Sequence, residues 1–207
     1  MAINGQVGNS TNLSDQDGSS VLSFEELGHG GANDYLPARD GRFLINHLVI
    51  DSSVASASIQ TGLNQSTVLE VEFSLIKPVS NNTNFNMRFF ESGVEESGAV
   101  YDRGYWYMVD NNTNVWNHSS NATEIALGVG VGNGTYENLN GHVTIYHANE
   151  STRQTNFEST TVYMQGGALY NNQTSGELPQ ASIVDGLKFF FGTGNIASGE
   201  IRIYGYG

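Results

Sequence analysis

Trp106 and Trp116 are the residues of this sequence best suited to a chemical task. Trp106 sits in Tyr105-Trp106-Tyr107, and Trp116 falls in a stretch that reads as an Asn-rich loop between Asn114 and Asn117. Aromatic faces ringed by Asn and Asp suit sugar recognition, because a ring covers the apolar face of a pyranose while amides take its hydroxyls. Both tryptophans are therefore candidate glycan-binding residues. If Tyr105 to Tyr107 lies in a strand, its side chains divide between two faces, so either Trp106 or the tyrosine pair points outward. The competing reading places Trp106 in the core and leaves Trp116 to cap a loop or fill a subunit contact.

Other constellations are weaker. Glu70 and Glu72 share one strand face at a separation of roughly 7 Å. Glycosidases hold a carboxyl pair about 5.5 Å apart or wider, but these two acids on an open strand lack a sugar-shaped cleft and read as a solvated face. Gly128, Gly130, Gly132 and Gly134 include a Gly-x-Gly, yet no helix follows, as a dinucleotide loop requires. Asp15-Gln16-Asp17-Gly18 resembles part of a calcium loop, but Phe24 occupies the place of its bidentate Glu. An unpatterned carboxylate group of Glu91, Glu95, Glu96 and Asp102 is the alternative cation site. The histidines never form His-x-His or His-x-x-x-His, no Gly-x-Ser-x-Gly elbow occurs, and cysteine is absent. The expectation is a protein without catalytic residues, metal or cofactor, and not an enzyme.

The elements that must position the tryptophans are strands. Leu69, Val71, Phe73 and Leu75 alternate with Val68, Glu70, Glu72 and Ser74, and Pro78 closes the run. Phe85, Met87 and Phe89 alternate with polar partners, as do Val143 and Ile145, Leu187, Phe189 and Phe191, and Ile201 and Ile203. Further strands are expected at residues 43–50, 104–109, 124–131, 157–164 and 167–170. Turn chemistry separates them at Asn81-Asn82-Thr83, Asn111-Asn112-Thr113, Asn133-Gly134, Asn140-Gly141, Asn171-Asn172 and Gly192 to Asn195. Many short strands at near-regular spacing predict an all-β protein, a jelly-roll-like antiparallel β-sandwich over residues 42–207. Residues 1–41 have no sustained period and read as an extended N-terminal arm for anchoring or assembly, with Val21, Leu22, Phe24, Leu27, Tyr35 and Leu36 as its scattered anchors.

Charge narrows the partners. A formal net charge of −13, with eight Lys and Arg among 207 residues, argues against nucleic acid and against an anionic membrane. Charged residues make up 14% of the chain, where an average protein has about 25%. Asn, Ser, Thr and Gly replace them and give a neutral hydrogen-bonding surface. The opening Met1-Ala2-Ile3-Asn4-Gly5 has no signal-peptide pattern, so synthesis in a cytoplasm is expected. About ten Asn-x-Ser/Thr triplets, Asn81 and Asn121 among them, are what an Asn-rich chain produces by accident.

The closing stretch carries a likeness. Ile183-Val184-Asp185-Gly186-Leu187-Lys188-Phe189-Phe190-Phe191, followed by Gly194-Asn195-Ile196-Ala197-Ser198-Gly199-Glu200-Ile201-Arg202-Ile203-Tyr204-Gly205, resembles the C-terminal pattern of bacteriophage virion β-sandwich domains, of the tail-fibre, head-fibre and decoration type. Leu69 to Pro78, Phe85 to Phe89, Gly104-Tyr105-Trp106 and Leu139 to Tyr146 resemble the earlier strands of the same domain. The likeness spans roughly residues 43–207. It implies a non-enzymatic structural protein of the virion, made in the host cytoplasm: a capsid decoration, cement or fibre-like component anchored through its arm. Its implied partners are other virion proteins of capsid or tail, and its own copies as a trimer or hexamer. The alternative is a receptor-binding tail-fibre module for host attachment that grips a host-surface glycan. A glycan hydrolase, or the binding domain of one, ranks behind both.

Overall fold

A computed structural model describes residues 41–110 and 113–206. The expected arm anchors Val21, Leu22, Phe24, Leu27, Tyr35 and Leu36 lie outside the described residues, as does the Asn111-Asn112 turn. Two antiparallel sheets pack as a sandwich. The larger has eight strands in the order β1 (Arg42–Ile50), β13 (Ile196–Tyr206), β3 (Val68–Pro78), β9 (Leu139–Tyr146), β10 (Gln154–Gln165), β11 (Ala168–Ala181), β6 (Tyr101–Val109) and β7 (Thr113–Ala122). The smaller orders β2 (Ser56–Ile59), β12 (Val184–Phe191), β4 (Thr83–Glu91) and β5 (Val94–Glu95), and β8 (Ile125–Val131) also pairs with β4. The chain crosses repeatedly between the sheets, so neighbours such as β13, β3 and β9 are far apart in sequence, in the jelly-roll manner.

The period-two pattern places the core where it was expected except at Leu75, where a positive φ and a register shift turn the side chain out to solvent and bring Ile76 into the core instead. Leu69, Val71, Phe73, Phe85, Met87, Phe89, Leu187, Phe189, Phe191, Ile201 and Ile203 are all buried. Aromatic edges lock the sheets together: Phe73 of the larger sheet meets Phe85 and Phe189 of the smaller, each at 5.3 Å between ring centroids. Beside them Phe89 packs edge-on against Tyr101 at 5.8 Å and Phe157 at 6.2 Å.

Two expected turns are strand interiors. Asn140-Gly141 lies within β9 and Asn171-Asn172 within β11. Gly141 is needed for close approach and not for a reversal, because a Cβ there would stand 2.3 Å from the Thr160 carbonyl oxygen. Asn172 points inward, and its amide donates to the Leu127 carbonyl at 3.1 Å. It belongs to a set of polar side chains on the inner face of β10 and β11 that serve the backbone of β8. Thr161 Oγ1 donates to Leu127 O at 2.5 Å, Thr174 Oγ1 to Ala126 O at 2.6 Å, and the Tyr163 hydroxyl to Val129 O at 2.7 Å while accepting from Val129 N at 2.9 Å. A buried strand must have its backbone groups met, and here side chains meet them. The same bonds tie β10 and β11 down from below, which fixes the outward residues of both strands.

Candidate functional site

Strand β6 divides its side chains as an alternating strand must. Tyr105 and Tyr107 share one face, where Tyr107, Tyr170 and Tyr163 form a continuing stack with centroids 5.9 and 5.2 Å apart. Trp106 takes the other face. It is not a core residue, and Trp116 is not in a loop: β7 carries Trp116 directly opposite Trp106. A cross-strand aromatic pair stabilises an edge strand, which explains why an Asn-rich stretch extends here and does not turn. The two indoles lie 5.6 Å apart at a tilt of 36°. Trp116 remains 77% exposed, a large apolar surface left in water.

Register carries this pair into a longer row across the outer face of the larger sheet. Trp116 faces Trp106, Trp106 faces Gln173, Gln173 faces Thr160, and Thr160 faces His142. A parallel row runs His118, Gly104, Ser175, Glu158. Together they line a groove of about 920 Å³. Gly104 leaves its floor open, since the nearest atom to a Cβ there would be the Asn117 carbonyl oxygen at 3.6 Å. Glu158 is held in place by the Tyr146 hydroxyl, which donates to it at 2.5 Å. That bond to a carboxylate holds the Tyr146 phenol above its ordinary value. Among the described residues no Lys or Arg lines the groove.

No known protein family, curated protein or solved structure matches the chain.

The sequence identified the two tryptophans and missed the polar row. Gln173, Thr160, Ser175, Glu158, His142 and His118 carry no motif, and sequence separation hides that they are neighbours. The signal was the alternation itself: the outward positions of β10 and β11 are mostly polar, as in Glu158, Thr160, Gln173 and Ser175. Glu70 and Glu72 lie on β3 at the end of the rows, Glu72 opposite His142 and Glu70 opposite Thr144. They stand along one strand and do not flank a cleft.

The carboxylate group weighed as a cation site is divided in the fold. Glu95 pairs with Arg88 at 2.7 Å and Lys188 at 2.6 Å, and Asp102 lies in the other sheet, on β6 opposite Glu177. Among the described residues no three His, Asp or Glu side chains gather to hold a metal ion. Glu91 is the carboxyl whose proton affinity is raised among the described residues. Burial, then a shared hydrogen bond with Glu96 and its charge, push the Glu91 carboxyl up to about 7, and the Gln180 amide opposes the rise. Carboxyl groups bond to each other when one is protonated, so the folded chain keeps a proton that the unfolded chain releases near pH 4.5. Stability is then fully present below about pH 4.5 and declines as pH rises toward 7. Urea unfolding is expected to show a loss of about 1 kcal/mol between pH 5 and 8, allowing for solvent screening at this partly exposed site. Glu91→Gln should flatten that slope; an unchanged slope would place the titrating group elsewhere.

Proposed function

We propose that this protein binds glycan on the outer face of its larger sheet, as a β-sandwich receptor-binding module of a bacteriophage virion that attaches to host-surface sugar. The observation that carries the reading is the outer-face Trp106–Trp116 pair, Trp116 exposed and Trp106 half-buried, set beside a row of polar side chains in one groove. Pyranose rings present an apolar C–H face and a rim of hydroxyls, and this surface offers a complement to each. Indole faces take the ring, while Gln173, Thr160, Ser175 and the imidazoles exchange hydrogen bonds with hydroxyls. Rigidity supports the reading, because the bonds from β10 and β11 to β8 hold the polar row before any ligand arrives. Binding is favoured over hydrolysis because Glu158 is the one carboxylate on the groove lining among the described residues. Glycoside hydrolysis needs two that flank the scissile bond.

Affinity electrophoresis of the purified protein through gels containing host-surface polysaccharides tests this. Retardation by at least one polysaccharide is expected, and Trp106→Ala should weaken it about tenfold, equivalent to about 1.4 kcal/mol. Because Trp106 also packs against Trp116 and supports the edge strand β7, the variant should lose a little stability, and binding is compared at a temperature where circular dichroism shows it still folded. Migration unaffected by every polysaccharide, or retardation indifferent to Trp106, would remove the reading.

A further inference from the structure

We propose that the groove takes an extended, uncharged glycan of about four sugars lying across the strands, and that it discriminates against chains bearing carboxylate, sulfate or phosphate. This rests on the glycan-binding reading above and adds the orientation, length and charge of the ligand.

Orientation follows from the shape of the lining. Along any one strand the groove offers at most two outward positions, such as Gly104 and Trp106 on β6 or Glu158 and Thr160 on β10, a length of about 7 Å. Across the strands it runs through β7, β6, β11, β10 and β9. Those four inter-strand steps of about 4.8 Å make roughly 19 Å, enough for about four sugars at one per step. The long axis of the ligand must lie across the sheet. One end of it then rests on Trp116 and Trp106, the middle passes Gln173 and Thr160, and the far end reaches His142.

Charge follows from the same lining. Glu158 projects into the groove with no Lys or Arg beside it among the described residues. A uronate carboxylate laid there would be desolvated against a like charge with no Lys or Arg to balance it, which is disfavoured. The chain as a whole, at −13, repels polyanions before contact. Glu158 accepts hydrogen bonds only, so it selects for hydroxyl donors on the sugar.

Isothermal titration with size series of cello-, laminari-, malto- and manno-oligosaccharides from two to six sugars, and of oligogalacturonates of the same lengths, tests both parts. Affinity in at least one uncharged series should rise to about the tetrasaccharide and then level. Oligogalacturonates should bind at least about tenfold more weakly. His142→Ala should weaken the tetrasaccharide and leave the disaccharide unchanged, while Trp106→Ala weakens both. A plateau already at the disaccharide would overturn the extended site, and equal or tighter binding of oligogalacturonate would overturn the charge selection; in both cases glycan binding itself survives. Failure of all five series to bind would overturn this proposal, and failure of retardation in the polysaccharide gels as well would overturn the glycan reading with it.

Discussion

Phe189→Ala is expected to lower the unfolding free energy by about 3–5 kcal/mol, through lost burial and the cavity left behind. Phe189 is fully buried on β12, the strand that joins β2 to β4 in the smaller sheet. Its ring reaches across to Phe73 of the larger sheet at 5.3 Å and lies 6.3 Å from Phe85 on its own. Neither neighbour can fill the space, because Phe73 and Phe85 already meet edge to face at 5.3 Å. The adjacent residue is an internal control. Phe190 points to the other side of β12, where Arg88 lies 4.7 Å above its ring. Phe190→Ala should cost less, about 1–2 kcal/mol, because the half-buried ring loses its contacts with Arg88 and Lys188 and leaves no core cavity. Urea denaturation of the two variants measures the contrast. A loss below about 1 kcal/mol for Phe189→Ala would mean that the sheets are not held by this aromatic contact.

That contrast shows why the core was readable from the sequence and the groove was not. Phe189 and Phe191 are apolar at alternate positions, and burial is the one demand that period two advertises. The outward positions carry no burial demand, which leaves no apolar period. Trp106 was recognisable as a candidate because its residue type is rare, but its orientation turned on which face of β6 the core claimed. Trp116 was misplaced in a loop because local Asn content suggested turns, while the stabilising partner, Trp106 across the strand pair, is a tertiary fact. Asn172 misled for the same reason in reverse: its side chain serves the Leu127 carbonyl, a bond between residues 45 apart in sequence. Gln173, Thr160 and His142 come together only through the order β6, β11, β10, β9, and no local rule of sequence specifies that order.

The groove depends on the spacing of β6 and β11, which pair over eight residues and come close at Gly176. Gly176 on β11 faces Arg103 on β6 and Phe157 on β10. A Cβ at Gly176 would stand 2.1 Å from the Asp102 carbonyl oxygen, 2.8 Å from the Arg103 Cα and 2.8 Å from the Phe157 ring. The first two obstacles are backbone, so they can yield only if β6 moves away from β11. Gly176→Ala should therefore cost about 2–3 kcal/mol, at the upper part of the range for overpacking. The movement has a second consequence. In the described sheet β7 is joined through β6, so both tryptophans travel together while Gln173 and Ser175 stay with β11. A tetrasaccharide spanning the junction should lose affinity in this variant, whereas a disaccharide resting on the indoles should not. Gly104→Ala makes the opposite comparison. Its Cβ would meet nothing closer than 3.6 Å, so stability should be unchanged, yet the added methyl stands on the groove floor and should weaken the longer ligand. Urea denaturation and titration of the two variants separate a site that depends on strand spacing from one that depends on open space. Unaltered stability in Gly176→Ala would show that β6 and β11 can part at this point without loss, and the tryptophans would then not be held in register with the polar row.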